Sequence, residues 1–130
     1  MKNYKILIVD DDPDIIKAVQ VILQNKEYEV ISASNKADAL KKAAEETPDL
    51  FVLDVMMETF SDGFDLSREL RAMDKFKKTP IILLTGIDDK TGVNFKSGFS
   101  NSELLPIDAY LGKPVTPQVL LDKIKDLLPK

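Results

Sequence analysis

The 130-residue chain contains no cysteine, no histidine and no tryptophan. These absences exclude disulfide bonds, thiol chemistry, zinc sites built from cysteine and histidine, and any catalytic triad that needs a histidine. A metal ion bound by this chain would be held by oxygen ligands, which favours a hard cation such as Mg²⁺.

Long apolar runs and an excess of basic charge are also missing. The longest apolar runs hold four residues, at 6–9, 50–53 and 81–84, far fewer than a membrane span needs. With 18 basic and 22 acidic residues the net charge is −4, which disfavours unaided binding to nucleic-acid phosphates. The first residues, MKNYKILIVD, reach an acid too soon for a secretory signal. We therefore expect a cytoplasmic protein with no membrane insertion and no direct nucleic-acid partner.

Short apolar runs alternate with helical patterns along the whole chain, which predicts an α/β fold with a parallel sheet covered by helices on both faces. We see no linker and expect a single domain over 1–130. The segment 87–106 has no convincing apolar stripe, so a fourth helix there is expected to be short or irregular. The predicted strands are 6–9, 28–31, 50–54, 81–85 and 107–111, and the predicted helices are 13–25, 35–46, 62–74 and 117–128.

The helical segments carry signals for their starts and for their buried faces. Asp12 is a plausible N-cap with Pro13 in the first helical position, and Thr116 with Pro117 repeats this arrangement. Helical periodicity predicts which apolar side chains share one face of a helix, and on the last helix this face is directed inward. These are Ala37, Leu40 and Ala44 on the second helix and Val119, Leu120, Ile124 and Leu127 on the last one.

Polar residues follow the predicted strands at one end of the sheet. Strand one ends at Asp10–Asp12, strand three at Asp54, strand four at Thr85, and Lys113 follows strand five. In open α/β sheets ligands bind outside the carboxyl ends of the strands. Four strands therefore bring polar groups to the same edge.

The residue types at this edge suit phosphoryl transfer. Three carboxylates would repel each other without a cation, so the arrangement makes physical sense around a divalent ion and the Lys113 ammonium. Phosphoryl transfer needs positioning and charge neutralisation more than proton shuttling, so the lack of histidine is no obstacle. The alternative for Asp10–Asp12 is an acid cluster favoured at a helix N-terminus, which fits Asp12 best.

At this point the sequence closely resembles the receiver domain of bacterial two-component response regulators, with the flavodoxin-like fold of chemotaxis regulators. The resemblance implies a doubly wound five-stranded sheet of order 2-1-3-4-5. It is carried by five segments in order: KILIVDDDPDI (5–15), PDLFVLDVMM (48–57), DGFDL (62–66), TPIILLTG (79–86) and DAYLGKP (108–114).

The resemblance also implies roles for individual residues. Asp54 would be the phosphoacceptor, a carboxylate nucleophile that forms an aspartyl phosphate. Asp11 would bind Mg²⁺ directly with Asp10 beside it, and the backbone carbonyl of Met56 would be a further ligand. Lys113 would pair with Asp54 at rest and with a phosphoryl oxygen afterwards.

Two residues are implied as switch elements, and two kinds of partner follow. Thr85 would move its hydroxyl onto the phosphoryl group, and Tyr110 would turn inward as the space near Thr85 changes. The phosphoryl donor would be a sensor histidine kinase or a histidine phosphotransfer protein, and the output would be a downstream protein target. The chain would be no enzyme beyond its own phosphorylation and dephosphorylation.

Alternative functions stay open at this stage. One is a receiver-like protein-binding module that acts without phosphorylation. Another is a Mg²⁺-dependent aspartyl-phosphate hydrolase of the haloacid-dehalogenase type, although that family has a second Asp where this chain has Met56. Flavin binding on the same fold would need a phosphate loop rich in serine and threonine, where this chain has acids.

Overall fold

The computed structural model describes residues 4–26, 28–54, 62–85, 108–112 and 116–128. Side chains are described throughout these ranges except at residues 62–64, 85 and 110. The predicted fourth helix within 87–106 lies outside the described residues. No helix in the described ranges is both long and apolar enough to cross a membrane.

The described strands form one five-stranded parallel sheet in the order β2-β1-β3-β4-β5, which confirms the predicted topology. β3 and β4 have the predicted bounds, because each is a continuous apolar run with a polar residue at its end. β5 begins later than expected and includes Gly112. The strands are β1 (Lys5–Val9), β2 (Glu29–Ala33), β3 (Leu50–Asp54), β4 (Ile81–Thr85) and β5 (Ala109–Gly112).

Four helices and one short 3-10 turn connect and follow these strands in the described part of the chain. The third helix ends before the predicted residue 74, because Met73 is extended, with φ −78° and ψ 132°. The 3-10 turn Asp74–Phe76 then leads the chain towards β4. The helices are α1 (Pro13–Gln24), α2 (Lys36–Glu46), α3 (Asp62–Ala72) and α4 (Pro117–Leu127).

The helix starts follow the capping signals of the sequence. The Asp12 carboxylate accepts a hydrogen bond from the backbone N–H of Asp14 at 2.9 Å, so Asp12 is the N-cap of α1. Asn35 caps α2 in the same way, accepting from the N–H of Asp38 at 2.8 Å. Thr116 occupies the N-cap position of α4, but its side chain makes no capping hydrogen bond.

The core consists of two apolar clusters, one on each face of the sheet. Successive strand residues point to opposite faces, and both faces are covered by helices, so the central strands are buried throughout. One cluster joins Leu7, Val9, Phe51, Leu53, Ile81 and Leu83 to Ala39, Ala43, Leu66, Leu70 and Phe76 of the α2 and α3 layer. The other joins Ile6, Ile8, Leu50, Val52, Ile82 and Leu84 to Val19, Leu23, Leu120 and Ile124 of the α1 and α4 layer.

Two predictions of helix faces were wrong in part: Leu40, Leu120, Ile124 and Leu127 do lie in or against the core, but Ala37, Ala44 and Val119 are exposed. α2 buries Ala39 and Ala43, whereas Ala37 and Ala44 are exposed. Alanines lie on several sides of this helix, so apolar periodicity alone could not select the face that packs on the sheet. On α4 the side chain of Val119 is 48% exposed, and Leu128, just past the helix, is buried in its place.

Candidate functional site

The parallel register places two of the predicted site residues side by side. Val9 of β1 pairs with Leu53 of β3, so the next residues, Asp10 and Asp54, reach the same edge of the sheet on neighbouring strands. The backbone N–H of Asp10 also donates to the carbonyl oxygen of Ala33 at 3.1 Å, which ties this residue to the end of β2. The edge is thus built from three adjacent strands.

The three predicted carboxylates come together at this edge. One oxygen from each of Asp10, Asp11 and Asp54 lies within 4.8 Å of the other two. Asp10 has no exposed surface and Asp54 is only 4% exposed, whereas Asp11 is exposed. The carboxylates of Asp10 and Asp54 are therefore buried, and the cluster is open to solvent on the side of Asp11.

Hydrogen bonding orients one of the buried carboxylates. Oδ1 of Asp10 accepts from the backbone N–H of Asp12 at 2.9 Å. This bond satisfies part of the acceptor capacity of a fully buried acid, which would otherwise be costly to bury. It also turns the chain towards the start of α1.

The donor set fits Mg²⁺. All three groups are carboxylate oxygens, the ligands that hard divalent cations prefer, and the open side of the cluster leaves room for the waters that Mg²⁺ retains. A divalent cation would also offset the mutual repulsion of three acids within 4.8 Å of one another.

The remaining predicted site residues are described only in part or lie outside the described residues. Thr85 ends β4, one residue beyond the pairing of Leu84 with Asp54, so its backbone lies at the same edge. Tyr110 is in β5, paired with Leu83. The side chains of these two residues, and all of Met56 and Lys113, lie outside what the structure describes.

A cavity of about 600 Å³ lies at the amino ends of the strands, away from the three carboxylates, and takes no part in this site. Its lining includes Lys75 and Lys77. Nζ of Lys75 donates to the carbonyl oxygen of Ala44 at 2.9 Å, and Lys77 pairs with Asp74 at 3.3 Å. Both lysines therefore have partners within the chain.

The comparisons with known proteins agree with the fold. The model of the response regulator receiver domain family matches residues 6–125. The alkaline phosphatase synthesis transcriptional regulatory protein PhoP of Bacillus subtilis is 37% identical over 126 residues, which cover 97% of this chain and 49% of PhoP. The chain thus spans about half the length of the curated relatives it matches.

Solved structures show the same architecture. The chemotaxis response regulator CheY4 of Vibrio cholerae superposes with a TM-score of 0.83 at 30% identity, over 98% of this chain and 100% of CheY4. The receiver domain of the sensor histidine kinase PA1611 of Pseudomonas aeruginosa, at 23% identity, superposes with a TM-score of 0.80 over 97% of this chain and 98% of that one. In that protein a magnesium ion is coordinated in the active site cleft. The chain belongs to the response regulator receiver domain family of two-component signal transduction.

Proposed function

We propose that this chain, as one receiver domain over 1–130, accepts a phosphoryl group on Asp54 with the help of Mg²⁺. One observation carries the proposal: the buried Asp54 carboxylate has an oxygen within 4.8 Å of oxygens from both Asp10 and Asp11. A nucleophile with two further acids beside it suits chemistry in which a cation must neutralise phosphoryl charge.

In the proposed reaction an oxygen of Asp54 attacks phosphorus in line with the leaving group. A bond forms between that oxygen and phosphorus, and the bond from phosphorus to the donor nitrogen breaks, so the electron pair stays on the donor imidazole. Mg²⁺ would be held by Asp10, Asp11, Asp54 and the Met56 carbonyl. When bound, it would neutralise charge on the phosphoryl oxygens. Lys113 would add a further positive charge, and the burial of Asp54 would limit access of water to the acyl phosphate.

The donor histidine lies outside these 130 residues, because they contain none. A sensor histidine kinase or a histidine phosphotransfer protein supplies that group in the proposed cycle. Thr85 and Tyr110 then change position and alter a surface that a downstream protein recognises. The chain would catalyse only its own phosphorylation and dephosphorylation.

The phosphoacceptor assignment is tested with acetyl phosphate, a small donor that needs no kinase. Wild-type protein, Asp54→Asn and Asp14→Asn are incubated with acetyl phosphate and Mg²⁺, and intact mass is measured before and after hydroxylamine, which cleaves acyl phosphates. We expect one hydroxylamine-sensitive phosphoryl group on the wild type and on Asp14→Asn, whose exposed carboxylate lies in the first turn of α1. Stoichiometric labelling of Asp54→Asn would refute the assignment.

The metal assignment has a readout that does not depend on activity. A ligand that binds only the folded state stabilises it by about 2.7 kcal/mol at a concentration 100 times its Kd. We therefore expect Mg²⁺ to raise the unfolding temperature of the wild type relative to EDTA, and Asp11→Asn to remove most of this rise. An equal rise in wild type and Asp11→Asn would contradict the site. A wild-type protein that binds Mg²⁺ but takes no phosphoryl group would instead favour a binding module that acts without phosphorylation.

A further inference from the structure

One arginine makes hydrogen bonds to several residues of the connection between α3 and β4. Arg71 lies in the last turn of α3, and its Nη1 donates to the carbonyl oxygens of Phe76, Lys77 and Thr79 at 3.1, 2.8 and 2.8 Å. Its Nη2 donates to Oδ2 of Asp108 at 2.9 Å. The planar guanidinium presents five N–H donors in a fixed fork, and Nη1, with two hydrogens, shares one of them between two of its three acceptors; a lysine ammonium has only three donors, all at one point.

Asp108 is in turn bonded to the first residue of β4. Its Oδ2 accepts from the backbone N–H of Ile81 at 2.8 Å, and its own N–H donates to the carbonyl oxygen of Ile81 at 2.9 Å. The Arg71 and Asp108 side chains are 21% and 39% exposed, so the ion pair is partly shielded from solvent. Asp108 therefore joins α3 and β4 immediately before β5 begins.

β5 is shorter than the central strands and pairs on one side only in the described sheet. It has four residues, and among the described strands it pairs with β4 alone. Its Ala109 and Leu111 are only partly buried against the cluster of α1 and α4. A shift of one residue in the pairing would turn every side chain of the strand to the opposite face, so the register of a short edge strand needs a definite anchor.

We propose that Arg71 and Asp108 are positioning residues that set the register of β5 and thereby place the residues that follow it at the phosphoryl site. The register pairs Gly112 with Thr85, and the next residue in the sequence is Lys113. The inference rests on the proposed function in one respect, namely the role of Lys113 as the cation that neutralises phosphoryl charge.

Hydrogen exchange tests the effect on register without any phosphorylation. The variants are Arg71→Ala, Arg71→Lys and Asp108→Asn, the last of which retains an oxygen acceptor for the Ile81 N–H but removes the charge. Arg68→Ala is the matched control, because Arg68 lies on the same helix, is 56% exposed and pairs with Asp65 of its own helix at 3.5 Å. We expect β5 amides to exchange about tenfold faster in Arg71→Ala, relative to β3 amides of the same protein, with no such change in the control.

Exchange that rises equally in β3 and β5 would overturn the proposal, since it would show general destabilisation only. The rise should be smaller in Asp108→Asn than in Arg71→Ala, because Asp108→Asn leaves the three bonds from Arg71 to the carbonyl oxygens of the connection in place, whereas Arg71→Ala removes them. Arg71→Lys is expected to behave like Arg71→Ala, because one ammonium cannot replace all four bonds. Full retention of β5 protection in Arg71→Lys would show that charge alone suffices and would also contradict the proposed geometry.

A double-mutant cycle on the rate of phosphorylation by acetyl phosphate tests the effect on the site. We expect Arg71→Ala to slow the reaction about tenfold in a chain that has Lys113. In a Lys113→Ala chain it should have little further effect, because both changes remove the contribution of the Lys113 charge to the rate. Additive losses would overturn the positioning role. A wild-type chain that takes no phosphoryl group would refute the proposed function, whereas selective exchange in β5 would still support the register role.

Discussion

Asp10 and Asp12 are joined by a hydrogen bond of 2.9 Å from the backbone N–H of Asp12 to Oδ1 of Asp10. The Asp12 carboxylate in turn accepts from the N–H of Asp14. A carboxylate of the acidic cluster and the cap of α1 therefore belong to one short chain of hydrogen bonds. Both carboxylates accept from the N–H two residues further along the chain, and the two acids differ in burial, since Asp10 is fully buried and Asp12 is exposed.

Replacing Asp12 by alanine removes the cap of α1. We expect Asp12→Ala to lower the free energy of unfolding by about 1 kcal/mol, because the N–H of Asp14 loses its acceptor. Asp12→Asn is the matched control and should retain most of the stability, since asparagine caps helices about as well. Urea unfolding measures both, and equal losses in the two variants would contradict the capping role.

Replacing Thr47 by glycine should stabilise the protein. Thr47 ends α2 in the left-handed region, with φ 48° and ψ 66°, which is strained for a β-branched residue. Glycine adopts this conformation without strain, so we expect Thr47→Gly to raise the free energy of unfolding by about 1 kcal/mol. Thr47→Ala, which has a Cβ, is the comparison. A gain in the alanine variant as large as that in the glycine variant would show that backbone strain is not the cause.

Replacing Phe76 tests whether the 3-10 turn is anchored in the core. Its ring contacts that of Phe51 edge to face, with centroids 5.1 Å apart and an interplanar angle of 83°. We expect Phe76→Ala to cost about 3–5 kcal/mol, because the ring is fully buried and leaves a cavity. Val119→Ala, at a side chain 48% exposed, should change stability by no more than about 0.5 kcal/mol. A similar loss in both variants would contradict the assignment of core and surface.

Ionisation of Tyr28 lowers the free energy of unfolding at alkaline pH. Burial raises the pKa of its hydroxyl above the ordinary 10.0, with a smaller contribution from Tyr4. The folded state therefore holds this proton more tightly than the unfolded state does, so the stabilisation is complete below pH 10.0 and is lost as pH rises through the folded pKa.

We expect Tyr28→Phe to reduce the fall in the free energy of unfolding above pH 10.0. Urea titration at a series of pH values measures this fall. A decline will remain, because a hydrogen bond to Glu46, with other nearby acids adding to it, raises the pKa of Lys5 and acts in the same direction. An identical alkaline decline in wild type and Tyr28→Phe would exclude the contribution of Tyr28.

The sequence by itself determined the strands and the acidic edge. A continuous apolar run that stops at a polar residue predicted β3 and β4 to the residue, and the alternation of strands and helices predicted a parallel sheet. Because the carboxyl ends of parallel strands share one edge, the sequence alone places Asp10, Asp11 and Asp54 together. The predictions of the strands and of the acidic edge depend on local sequence patterns and on the common direction of the strands in a parallel sheet.

Only the tertiary structure decided which helix faces are buried and which distant residues join. Alanines on several sides of α2 leave its buried face undetermined until the helix packs on the sheet, and the exposure of Val119 depends on how α4 lies against its neighbours. Arg71 and Asp108 are 37 residues apart, and neither carries a local signal for the other. Such contacts arise from the folded arrangement of α3, β4 and β5, so no periodicity along the chain could have predicted them.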